Sequence, residues 1–108
     1  MNYDLLNNMI DYIEENLTED IKYKDLAKIV GVSEYSLQRI FMFLAGISLF
    51  EYIRKRRLSK AFEELKTTNI KVIDLALKYQ FLELLRNYLE SRRVNAKQVI
   101  NNLNYFLF

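Results

Sequence analysis

Within the stretch SEYSLQRIFMFLAG, Tyr35, Gln38 and Arg39 fall about one helical turn apart. Their chemistry suits the edges of base pairs. An arginine fork can pair bidentately with guanine, a glutamine amide with adenine, and an aromatic ring can pack on a thymine methyl. The same three residues would also serve as an ordinary solvated helix face. Ser33 and Ser36 sit near the start of the same segment, where hydroxyls, free backbone amides and the helix dipole can hold a phosphate. Ser33 could equally do no more than cap its own helix. Further along, the run Arg54 to Arg57 turns about 100° per residue, so its four charges cannot all reach one polyanion. Arg54 and Arg57 are taken as its phosphate contacts, and the rest are expected in solvent. Lys71 and Lys78 flank a later helix and are weaker phosphate candidates.

Composition removes most other chemistry. The 108 residues contain no histidine and no cysteine, so disulfide frameworks and thiolate–imidazole zinc sites are excluded. No nucleophile, base and orienting group can be assembled, and no glycine-rich phosphate loop is present. An enzyme is therefore not expected, nor is a cofactor or metal. Eight tyrosines and seven phenylalanines raise the question of stacking on single strands, but Phe41, Tyr52 and Phe62 lie on apolar stripes that suit a core. The net charge of +2 is unevenly spread. Seven acids face only Lys22 and Lys24 before Leu26, whereas fourteen basic residues face seven acids from there on. Later helices are thus the ones suited to a polyanion, although a solvated surface would show the same asymmetry. The opening MNYDLLNNMIDYIEENL mixes acids with apolar residues and has no basic leader, so neither a signal peptide nor a membrane span is expected. A cytoplasmic location follows as the expectation, with no membrane partner.

The positioning elements can be read from periodicity. Leu6, Met9, Ile10, Ile13 and Leu17 recur at helical spacing. A second helix is predicted from about Tyr23 to Val30, with Leu26, Ala27 and Val30 inward and Gly31 as its C-cap. Ser33 caps a third, whose stripe is Leu37, Ile40, Phe41 and Leu44, and Gly46 ends it. Ser48 to Glu51 has capping-box spacing. A long fourth helix then runs to about Lys66, with Tyr52, Leu58, Ala61, Phe62 and Leu65 inward and Arg54, Lys55, Arg56 and Arg57 mostly in solvent. After Thr67, Thr68 and Asn69, a fifth helix should bury Val72, Ile73, Leu75 and Ala76. From Gln80 onward LELLRNYLESRRV and AKQVINNLNYFLF suit helices, but no cap or glycine separates them.

Ala27 is small enough for a close helix crossing, Gly31 follows four residues later, and Leu26, Val30, Val32, Leu37 and Ile40 supply apolar flanks. These are the demands of a helix-turn-helix, although a plain helical hairpin would satisfy the spacing too. Four further features narrow the choice: LQRIF, the AG-I-S-x-x-EYI step, the R-L-x-x-A run at Arg57, Leu58 and Ala61, and the I-x-V-I-D-x-A-x-K-Y segment. With them the chain resembles the DNA-binding domain of the AraC/XylS family of bacterial transcription regulators, most of all its MarA and Rob branch. The resemblance implies an all-α, homeodomain-like architecture. In it a first helix-turn-helix subdomain (1–47), a linker helix (48–66) and a second helix-turn-helix-like subdomain (67–108) offer recognition helices to successive major-groove segments of double-stranded DNA. It also implies base contacts at Tyr35, Gln38 and Arg39, on a recognition helix of about 34–44, and RNA polymerase as a further partner. The chain departs from the family pattern at Gln80, where the turn glycine is replaced, and in LELLRNYLESRRVNAKQV beyond it. The second subdomain is therefore expected to be degraded after about residue 80, leaving one competent reading helix. The apolar ending NYFLF suggests self-association, and the alternative function is a helical protein-interaction module or truncated regulator without specific DNA binding.

Overall fold

The computed structural model describes residues 3–92, and all six regular elements among them are helices. They are α1 (Tyr3–Glu15), α2 (Tyr23–Val30), α3 (Glu34–Ala45), α4 (Leu49–Thr67), α5 (Val72–Lys78) and α6 (Leu82–Arg92). The chain divides into two units inside α4, between Ile53 and Arg54, so this helix contributes its first turn to one unit and the remainder to the other. The segment AKQVINNLNYFLF, with its expected self-association, lies outside the described residues.

In the first unit the apolar spacing of α1 buries Leu6, Met9 and Ile13, with Leu17 joining them just past the helix end. The Asn16 side-chain amide donates to the Tyr12 carbonyl at 2.7 Å, closing the last turn of α1 without a glycine. Leu26, Ala27 and Val30 of α2, Leu37 and Phe41 of α3, and Leu49 and Ile53 of α4 complete this core. Met9, Ile13, Leu26 and Leu37 are almost wholly removed from water, and each such side chain contributes about 2 kcal/mol. The Phe41 ring meets Tyr52 edge-on, with centroids 5.4 Å apart.

Sharp turns set the path between helices. Gly31 adopts φ 80°, and its amide donates to the Ala27 carbonyl at 2.8 Å. The Val32 amide donates to that same carbonyl at 3.1 Å. Ser33 then caps α3 by accepting the Ser36 amide at 3.1 Å, and Gly46, with φ 76°, ends it. The Ser48 hydroxyl accepts the Glu51 amide at 3.1 Å, which is the N-terminal half of the expected capping box.

The second unit buries Leu58, Ala61 and Phe62 of α4, Leu75 and Ala76 of α5, Leu85 of α6, and Tyr79 and Phe81 between them. No glycine ends α4. Instead the Thr67 and Thr68 hydroxyls donate to the carbonyls of Glu63 and Glu64, and Thr68 Oγ1 accepts the Ile70 amide. Past α5 the chain turns at Gln80 and enters α6 at Leu82. Gln80 takes φ 61°, the left-handed conformation that Gly31 takes in the first motif, and the Phe81 amide donates to the Ala76 carbonyl at 2.9 Å. The chain thus carries a helix-turn-helix through this position, although the sequence pattern weakens there.

Several side chains lie elsewhere than periodicity suggests. Leu44 and Ile73, expected inward, are exposed: Leu44 shares the Leu37 face but stands in the last turn of α3, whereas Ile73 points away from the arc set by Leu75–Ala76. Ile10, Ile40, Tyr52, Leu65 and Val72 are only half-buried. Of the four cations in the Arg54–Arg57 run only Lys55 is exposed. The three arginines are half-buried, and each has an interaction within the chain.

Lys78 of α5 reaches back to Glu64 of α4, its ammonium donating to Oε1. The Lys78 hydrogen bond holds the Glu64 carboxyl below its ordinary range, and the Glu64 hydrogen bond holds the Lys78 ammonium above its own. Burial, followed by the neighbouring carboxylate, pushes the Tyr79 phenol up.

Two predictions follow from these contacts. A Cβ at Gly31 meets nothing within 4 Å, so the cost of Gly31→Val is that of the backbone alone, about 1–2 kcal/mol. Gln80→Gly removes the same kind of strain. Thermal denaturation is expected to show a lower melting temperature for Gly31→Val and none for Gln80→Gly; a clear loss in the second variant would contradict a left-handed Gln80. Because the Glu64 pKa is lowered, its contribution is complete above the carboxylate range and lost as the pH falls through it. Glu64→Gln should therefore flatten the acid limb of a stability–pH profile, slightly, since the pair faces solvent. A profile of unchanged slope would show that this ion pair carries no part of the acid sensitivity.

Candidate nucleic-acid interface

The face of α3 that points away from the core is set by its cap and its buried stripe. With Leu37 and Phe41 turned inward, Tyr35, Gln38 and Arg39 are exposed. Tyr35 is 69% exposed, yet it is not an isolated ring. The Arg39 Nη1 donates to the Tyr35 hydroxyl at 2.7 Å, and the guanidinium carbon lies 5.4 Å from the ring centroid. Two of the three expected base-reading residues are thus joined in the free protein.

The face continues further than the polar residues. Tyr35, Gln38 and Arg39 line one shallow cleft with Met42, Phe43, Ser48 and Leu49. Phe43 is 87% exposed. Sequence reasoning did not single out Met42 or Phe43, although each stands four residues beyond a chosen one, Met42 beyond Gln38 and Phe43 beyond Arg39, and so on the same helix face.

Of the expected phosphate contacts, Ser33 uses its hydroxyl to accept the Ser36 amide, so its role as a cap is occupied in the free chain. Ser36 is half-buried, and the exposed end of the helix it opens keeps the other first-turn amides. Arg54, Arg57, Lys71 and Lys78 belong to the second unit. Arg54 and Arg57 are half-buried and engaged within the chain. Lys71 occupies the N-cap position of α5 and is exposed. Lys78 is held by Glu64, an acid fourteen positions earlier that no local pattern would pair with it.

α6 offers a face of its own. Counted from the buried leucines Leu37 and Leu85, it places Glu83 where α3 has Tyr35, Arg86 where it has Gln38 and Asn87 where it has Arg39. All three are exposed. Arg86 is paired with Glu83 one turn earlier, so the outward cation here already has an anion beside it.

Among the described residues no single helix is long and apolar enough to cross a membrane.

The fold recurs in known proteins. A family model described as a helix-turn-helix domain matches residues 26–86 and so spans both turns, including Gln80. The chain is 46% identical over 77 residues to the HTH-type transcriptional activator AarP of Providencia stuartii, a match covering 71% of this chain and 57% of AarP. It is 33% identical over 76 residues to the multiple antibiotic resistance protein MarA of Escherichia coli, covering 70% of this chain and 60% of MarA. The matched stretch thus spans little more than half the length of these relatives. A crystal structure of a Chromobacterium violaceum transcriptional regulator, described as an AraC-type DNA-binding domain-containing protein, superposes with a TM-score of 0.70 at 22% identity, over 94% of this chain and 93% of that one. The shared fold, the extent of the family match and the identity to these relatives lead to one conclusion: the chain belongs to the AraC/XylS family of helix-turn-helix transcription regulators.

Proposed function

We propose that this chain reads double-stranded DNA in a sequence-specific manner, with α3 lying in the major groove. The observation that carries this reading is the exposed row Tyr35, Gln38 and Arg39 on a helix whose direction is fixed by the Gly31 turn. Arg39 pairs with guanine and Gln38 with adenine, while Ser36 and the first-turn amides of α3 meet the backbone. Lys71 adds a phosphate contact directly, and Arg54, Arg57 and Lys78 do so after exchanging their present partners for DNA. α6 contributes less than α3, because Glu83 repels the phosphate backbone and occupies Arg86. RNA polymerase is the further partner of such a regulator, and the cytoplasm, at the nucleoid, is its place.

A second reading, a helical protein-interaction module, is favoured by the apolar end of α3, where Met42, Phe43 and Leu44 are all exposed. Selection of bound duplexes from a random pool separates the two. The expected outcome is a single well-defined major-groove segment containing guanine, bound in a strongly salt-dependent way. Failure to enrich any sequence would favour the interaction module.

Arg39→Ala is expected to weaken binding to the selected duplex by about 1–3 kcal/mol and to relax preference at one base pair. Arg86→Ala should cost less, as measured by the same titration; a larger loss for Arg86 would make α6 the principal reading helix. Glu64→Gln releases Lys78 and should raise affinity for all duplexes alike, leaving sequence preference unchanged. Weaker binding by this variant would show that Lys78 does not meet phosphate.

A further inference from the structure

We infer that Tyr35 acts as a positioning residue for Arg39, its hydroxyl and ring holding the guanidinium in the orientation that reads guanine. This rests on the proposal that α3 reads DNA, and it assigns Tyr35 a different task from packing on a thymine methyl. An exposed arginine on a helix explores many rotamers, and ordering its side chain costs rotamer entropy. Both residues are exposed, so burial in the core does not limit that search. Tyr35 does so from one turn earlier, accepting from Nη1 at 2.7 Å while its ring lies 5.4 Å from the guanidinium carbon.

The donor inventory shows that this restraint leaves the reading function intact. Arginine carries five N–H donors in a planar fork, and the bond to Tyr35 takes one of them. The edge formed by Nε and Nη2 keeps the two parallel donors that a guanine O6/N7 pair requires. A phenylalanine in place of Tyr35 would keep the ring and its cation–π contact but lose the hydroxyl acceptor. Preorganisation of this kind improves affinity by lowering the ordering cost of binding rather than by adding a contact.

A double-mutant cycle tests the assignment: Tyr35→Phe, Arg39→Ala and the combined variant, each titrated against the duplex selected by the unaltered chain and against the same duplex with the guanine replaced by adenine. Tyr35→Phe is expected to weaken binding to the guanine duplex about three- to tenfold and to reduce the guanine-over-adenine ratio by a similar factor. In the Arg39→Ala background it should have no further effect. Melting temperatures should match that of the unaltered chain, since neither side chain is in the core, and a merely structural role would lower them. Equal losses in both backgrounds would overturn the inference by showing that the hydroxyl contacts DNA on its own account, and so would an unchanged affinity for Tyr35→Phe alone. If the unaltered chain selects no sequence at all, the reading of α3 as a DNA-reading helix fails first, and this assignment with it.

Discussion

The geometry of the first motif depends on one backbone carbonyl. Ala27 accepts two successive amides, from Gly31 and Val32, and this is possible only because the intervening residue turns left-handed. That single reversal ends α2, frees Ser33 to cap the next helix and sets which side of α3 faces Leu26 and Val30. The outward direction of Arg39 is therefore fixed some eight residues before Arg39 itself. A change at the turn would act on recognition without touching a recognising side chain.

The second motif repeats the constraint with a less suitable residue. Gln80 adopts the left-handed region at a conformational cost that glycine would not incur, and the neighbours Tyr79 and Phe81 are both buried. Their burial offsets that cost, since two aromatic side chains withdrawn from water contribute several times what one unfavourable φ removes. The two motifs thus reach one backbone shape by different routes, one by intrinsic freedom and the other by packing on either side. They differ more in what they present. The outward face of α3 joins an arginine to a neutral phenol, whereas that of α6 joins an arginine to a carboxylate. The first pairing leaves the cation's charge uncompensated, and the second cancels much of it.

The distribution of legible and illegible features follows the range of the forces concerned. Caps, glycine turns and the buried faces of α1, α2 and the start of α3 were readable because they depend on residues within one or two turns of each other. Ser33 and Gly31 announce themselves by type. The turn at Gln80 was not readable, because local propensity argues against a left-handed glutamine and the compensating burial of Tyr79 and Phe81 is a tertiary effect. The Glu64–Lys78 pair was invisible for the same reason, its partners lying on different helices. Leu44 and Ile73 were misplaced because periodicity gives the direction of a side chain and not whether a neighbouring element covers it there. On the outward face of α3, the exposure of Tyr35, Gln38 and Arg39 was legible from spacing, but the hydrogen bond between Tyr35 and Arg39 required rotamers that spacing does not specify.

Phe43 stands almost fully in water at the far end of the row formed by Tyr35 and Arg39. Keeping such a ring hydrated has a thermodynamic consequence distinct from that of the charges around it. Any surface that covers it releases ordered solvent, and burial of apolar area lowers the heat capacity of the complex. That share of the binding free energy is insensitive to ionic strength, unlike the share from arginine and lysine. A surface that covered Phe43 would keep this part of its hold at salt concentrations where electrostatic attraction has faded, and the hold would strengthen on warming from low temperature.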